Sequence, residues 1–97
     1  TLLWLSREDN EKLPESVVEI DKLLLEITEE MRYLLRNKTV ELIVETHPYQ
    51  CSLSAVAARI VLGNLIRNAF QHTWEGQVII SQQGRLVLSE YCQRKWP

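Results

Sequence analysis

The stretch VLGNLIRNAFQHT, Val61–Thr73, decides how this chain is read, and the remainder serves as its scaffold. On a helix, positions three and four apart share a face, so Leu62, Leu65, Ile66 and Ala69 form one apolar stripe. Asn64, Arg67, Asn68 and Gln71 repeat that spacing nearly opposite, with His72 at the margin. One face is core and the other is rich in amides. An ordinary exposed face would carry Glu, Lys and Gln, because Asn is a mediocre helix former whose short amide competes with the backbone for hydrogen bonds. Two Asn one turn apart in mid-helix ask for a reason. An amide oxygen is a neutral, hard ligand suited to magnesium, which keeps several waters and shares its shell with substrate phosphates. The amide nitrogen can donate to a phosphate oxygen. Asn64, Arg67 and Asn68 on one face are therefore the side chains a magnesium triphosphate site could use. The plainer alternative is a buried helix whose two Asn satisfy neighbouring backbone groups, as a bare N-x-x-x-N pair would imply.

Outward from this helix, Ser52 or Ser54 is placed to cap its start, and His47 and Pro48 open the loop before it, running through Gln50. His47 is not followed by an acidic residue and is read as a loop histidine. Upstream, Thr39 to Thr46 alternates as a half-buried strand, with Val40, Leu42 and Val44 on one face and Glu41, Ile43 and Glu45 on the other. Asn37 and Lys38 stop the preceding helix, which Asp21 should cap and which runs to about Arg36 on the stripe Leu24, Ile27, Met31, Leu34 and Leu35. Met31 reads as core. Ser16 to Ile20 is β-branched at strand length and predicts an edge strand, with Pro14 marking the boundary before it. Downstream, Trp74 to Gly76 turns the chain. Gln77–Ser81 and Arg85–Ser89 then form a hairpin about the turn Gln82, Gln83 and Gly84. The order strand, helix, strand, helix, strand, strand predicts an α+β fold, a two-layer α/β sandwich with helices on one face of a mixed or antiparallel sheet.

Ninety-seven residues suit one small domain, in which folding buries only about 60–65 % of the unfolded chain's surface. The hydrophobic fraction of 45% and charged fraction of 25% are ordinary for a globular protein, and a net charge of −2 argues against a nucleic-acid or anionic-membrane surface. Cys51 and Cys92 belong to no metal-binding pattern, so a reducing compartment is the simpler expectation, with a disulfide between them as the alternative. No apolar run approaches the roughly 18–20 residues needed to cross a bilayer.

The string NLIRNAFQHT closely resembles the N box of the ATP-binding domain of bacterial sensor histidine kinases. That domain belongs to a superfamily shared with gyrase, mismatch-repair ATPases and a heat-shock chaperone. Asn64, Asn68, Ala69, His72 and Thr73 match the family pattern. The resemblance implies that Asn68 ligates magnesium, that Asn64 lies beside the phosphates of ATP, and that His72 lines the nucleotide pocket. Where the family often has a basic residue just before the His position this chain has Gln71, and Arg67 is the nearby basic group. TLLWLSR at residues 1–7 is similar to the last turns of the family's dimerisation helix. Residues 1–13 are then expected to be the end of that helix and its linker, residues 14–90 a partial ATP-binding domain, and residues 91–97 a tail without family pattern.

The family's second nucleotide motif, Asp-x-Gly-x-Gly after the hairpin, has no counterpart in LSEYCQRKWP. Glu90 stands near the expected Asp, but no glycine follows Gly84. The expectation is a truncated domain, ended by truncation or altered reading, with little or no catalysis of its own. Its parent would bind Mg-ATP, autophosphorylate a histidine and signal to a response regulator, from a cytoplasmic domain of a protein anchored in the bacterial inner membrane. The alternative is a non-enzymatic dimerisation or interaction module. Homo-oligomerisation through an exposed sheet edge and an uncovered apolar face is expected of either.

Overall fold

Two segments of period-two alternation and two of helical period set the architecture of the computed structural model, which describes residues 2–5 and 15–93. The elements run β1 (Leu2–Trp4), β2 (Ser16–Glu19), α1 (Ile20–Met31), a 3-10 turn (Arg32–Leu35), β3 (Thr39–Glu45), β4 (Gln50–Leu53), α2 (Ala55–His72), β5 (Glu75–Gln83) and β6 (Leu86–Gln93). The main sheet has the order β1-β6-β5-β3, with β3 parallel to β5 and the other neighbours antiparallel. Strands β2 and β4 form a separate antiparallel ribbon. Both helices pack on one face of the mixed sheet, giving the α+β two-layer sandwich.

The layers meet through alternate residues of the strands and one stripe of each helix. Ile20, Leu24 and Ile27 from α1, Leu62, Ile66, Ala69 and Phe70 from α2, and Val78, Ile80 and Val87 from the sheet are all essentially removed from solvent. Each of these side chains other than Ala69 contributes about 1.5–3 kcal/mol of transfer free energy. Because side chains alternate along a strand, Ile79 and Glu90, opposite one another in the ladder, lie on the other face.

Caps and turns refine the expected boundaries. Ser54, not Ser52, caps α2, its Oγ accepting from the Ala57 N–H at 3.2 Å. Asp21 does not cap α1. The helix starts one residue earlier, where β2 ends, because the Ile20 N–H is already held by the Tyr49 carbonyl at 2.9 Å. Asp21 instead accepts from the Tyr49 N–H at 3.3 Å. The α-helix closes at Met31 and tightens into the 3-10 turn instead of running to Arg36, and Asn37 reverses the chain at φ 64, in the left-handed region that Asn tolerates. The hairpin turn is Gly84–Arg85, not Gln82–Gly84. Gln83 pairs with Leu86 across a two-residue loop whose first residue, Gly84, takes φ 60. Glu75 and Gly76, expected in a turn, already pair with Thr39 and Val40 in the sheet.

Three expectations need larger correction. Residues 2–4 are a strand and not helical turns, since a segment this short cannot nucleate a helix but can add bonds to an existing sheet edge. Leu3 pairs with Val87, the Leu5 N–H donates to the Arg85 carbonyl at 3.0 Å, and Leu5 enters the core. Strand β1 thereby covers the β6 edge, leaving β1 and β3 outermost. Gln50–Leu53, expected as loop and cap, is strand β4. Tyr91–Gln93, expected as part of a tail without family pattern, continue β6. The remaining expectations for residues 1–13 and 91–97 fall on residues 1, 6–13 and 94–97, outside the described residues.

Gly63 of α2 faces the end of α1, where an added Cβ would meet Met31 Cε at 3.2 Å. That neighbour is the free end of an unbranched side chain and can give by a few tenths of an ångström. Replacing a mid-helix glycine by alanine gains about 0.8–1 kcal/mol of helix propensity. Gly63→Ala should therefore stabilise the domain, by about 0.5 kcal/mol after Met31 has moved. A urea midpoint that falls would show that Met31 cannot yield.

Candidate functional site

Helix α2 carries the candidate site because its buried residues fix which face is left over. Ala58, Leu62, Leu65, Ile66, Ala69 and Phe70 point inward, so Asn64, Arg67, Asn68, Gln71 and His72 all stand exposed on the opposite side. Neighbours three and four apart on that face have Cβ atoms about 5–6 Å from one another. The five form one contiguous polar surface. The alternative of two buried Asn satisfying backbone groups does not hold, since both amides are exposed. Toward the N-terminus the same face turns apolar, with Val56, Ile60 and Val61 exposed.

The C-terminal end of the helix is held by groups the motif does not include. Lys38 Nζ donates to the Phe70 carbonyl at 2.7 Å and reaches the Gln71 carbonyl at 3.5 Å, while lying 4.3 Å above the Trp74 ring centroid. A cation there satisfies orphan carbonyls and meets the negative end of the helix dipole. Thr73, which matches the N box, is fully buried, and its Oγ1 donates to the Ala69 carbonyl at 2.9 Å. Its role is to close the last turn. Between them, Lys38 and Thr73 fix the turn that presents Gln71 and His72.

His72 stacks on Tyr91 of β6, with ring centroids 6.4 Å apart and planes 22° from parallel. Tyr91 lies on the helix-side face of the sheet, in register with Val78. Glu90, one residue away, is on the opposite face, so it cannot stand in for an acidic group reading a ligand held on α2. Sequence reasoning missed Lys38 and Tyr91. Lys38 follows a helix stop and reads as loop, and nothing local connects it to carbonyls 32 residues on.

On the side of α2 turned toward α1, Arg59 bridges the helices, donating to Glu26 at 2.8 Å and to both Glu30 oxygens at 3.2 Å. The hydrogen bond to Glu26, with the charges of Glu26 and Glu30, holds the guanidinium above its ordinary pKa despite slight desolvation. The groups are exposed, so the triad orients more than it stabilises.

The donor set can be tested against magnesium nucleotide. Among the described residues, no three acidic, His or Cys side chains converge as a metal site. Two neutral amides cannot hold a divalent ion by themselves, but one amide oxygen fits the protein's share when phosphates supply the charge. Among the described residues, no helix is long and apolar enough to cross a membrane. Comparison with protein-family models gives no match for this chain, and comparison with curated proteins gives none either.

Proposed function

We propose that this chain is part of the ATP-binding domain of a sensor histidine kinase, with the exposed face of α2 as its magnesium–phosphate surface. The observation that carries the reading is the register of Asn64, Arg67, Asn68, Gln71 and His72, all exposed on a helix whose other side is fully buried. Asn68 would give its amide oxygen to the ion, Asn64 its amide N–H groups to phosphate oxygens, and Arg67 a charge between them. Gln71 adds a neutral donor, and His72 borders the nucleotide. Magnesium, when bound, screens the phosphates and fixes their orientation. In a complete parent, which this reading anchors in the bacterial inner membrane with its kinase domain in the cytoplasm, such positioning serves transfer to a histidine and onward to a response regulator. The isolated chain is expected to bind weakly and not to autophosphorylate.

Calorimetric titration with magnesium and a non-hydrolysable ATP analogue tests this. The expected result is weak binding by the chain and a loss of about tenfold or more in Asn68→Ala, which is exposed and should leave the circular dichroism unchanged. Equal affinity in the folded variant would remove Asn68 from the site, and strong autophosphorylation by the chain alone would overturn the inactive-fragment reading.

One observation favours the non-enzymatic alternative. Leu2 and Trp4 are 62% and 60% exposed on the sheet face opposite the helices, beside half-buried Leu86 and Leu88. A chain that sediments as a dimer and binds no nucleotide would carry that reading instead.

A further inference from the structure

We infer that two copies of this chain pair through their β3 edges, antiparallel about a two-fold axis at Leu42, so that the two sheets become one. Strand β3 is outermost in the sheet, and its register with β5 runs from Thr39 to Glu45 without a bulge. The Thr39 N–H donates inward, to the Trp74 carbonyl at 3.1 Å. Backbone groups alternate in direction along a strand, so those of Glu41, Ile43 and Glu45 also face β5, and those of Val40, Leu42 and Val44 face outward. Among the described residues, nothing pairs with that outer row. Open edges are normally blunted by brevity, proline, lysine or a bulge. At the other side of the sheet β1 is only three residues long. Strand β3 has seven residues with no proline, lysine or bulge, and its only charges are Glu41 and Glu45.

The side chains choose the occupant and the register. With the axis at Leu42, that residue meets its own copy, and Val40 meets Val44 of the second copy. All three are half-buried on the helix-side face and packed against the core, so pairing makes the two cores continuous. These pairs also carry the outward backbone groups, and each exchanges two hydrogen bonds, about six in all. On the opposite face Glu41 meets Ile43 of the second copy and Glu45 meets Thr39, so no carboxylate directly opposes another. Moving the axis to Glu41 or Ile43 sets Glu directly opposite Glu, which destabilises, and leaves about four bonds within the strand. The edge is self-complementary in one register, and an isologous pair of this kind closes as a dimer. The inference is independent of the phosphate-surface reading, because β3 carries none of the α2 site residues.

The test is sedimentation equilibrium of the whole chain, with amide hydrogen exchange followed at low and high concentration. One strand edge is a small interface, so a reversible dimer with a Kd in roughly the micromolar range is expected. The amides of Val40, Leu42 and Val44 should gain protection as the dimer forms, while those of Glu41, Ile43 and Glu45 are protected at every concentration. Thr39 and Glu45 are exposed, and by symmetry their contact occurs twice in the dimer. Thr39→Glu should therefore weaken the dimer about threefold or more with unchanged circular dichroism, and adding Glu45→Lys should restore it. A chain that stays monomeric at every concentration overturns the inference. So does a dimer that ignores Thr39→Glu, or one whose new protection lies outside β3. Loss of the dimer in Trp4→Ser but not in Thr39→Glu would put the contact on the Leu2 and Trp4 face instead.

Discussion

Phe70→Ala should remove about 3–5 kcal/mol, a large share of the stability of the chain. Phe70 is the largest of the fully buried side chains, and it lies in the same turn as Asn68 and Gln71. Truncating a buried Phe costs about 3–5 kcal/mol, from lost transfer free energy and from the cavity left behind. A domain of this size has about 5–10 kcal/mol in total. The backbone carbonyl of Phe70 also receives the Lys38 bond, so the cavity opens beside the anchor of the helix end. Urea denaturation followed by far-UV circular dichroism measures the effect. A loss below about 1 kcal/mol would mean that the sandwich collapses around the gap and that Phe70 is not its keystone.

That coupling of core to surface explains why five polar side chains on an exposed face can share one geometry. None of them is fixed by burial. Their relative positions come from a helix whose inner face is locked between α1 and the sheet, whose start is capped by Ser54, and whose end is held by Lys38 and Thr73. A site assembled this way loses its geometry when the scaffold loosens. For that reason binding measurements on core variants report folding, and only exposed positions such as Asn68 and Tyr91 isolate recognition.

Helix α2 and the hairpin were legible in the sequence because each states its period within a few residues. The apolar stripe from Leu62 to Ala69 and the alternation of β5 and β6 need no distant partner to be recognised. What was not legible depends on distant partners. Strand β1 exists because Leu3 meets Val87 at the far end of the chain, and β4 because Cys51 meets Val18. Neither segment is long enough to show alternation by itself. The candidate site divided in the same way: its five helix residues follow from spacing, while Lys38 and Tyr91 reach it from other elements. The placement of Glu90 could not be read either, since one residue of register decides which face of the sheet it occupies.

Gln82 is the sharpest instance of this dependence, and Gln82→Leu should cost about 1–3 kcal/mol although it puts an apolar residue into an apolar interior. Between Ser81 and Gly84 the residue looks like part of a polar turn, yet it is 2% exposed and aligned with Val78 and Ile80 on the core face of β5. Its Oε1 accepts from the His47 N–H at 2.9 Å and its Nε2 donates to the Gly84 carbonyl at 2.9 Å. The side chain thus ties the loop before β4 to the hairpin turn. Leucine has similar volume, so the packing term nearly cancels and the cost falls on the His47 N–H and the Gly84 carbonyl, which lose the partners that Gln82 supplies. Gln82→Ala adds a cavity and should cost more, about 2–4 kcal/mol. Hydrogen exchange separates the two contributions. Both variants should lose protection at the His47 amide to the same extent, and only the alanine variant should also lose it across β5 and β6. A leucine variant with undiminished His47 protection would show that another acceptor replaces Gln82, and that the loop is held by something other than this bond.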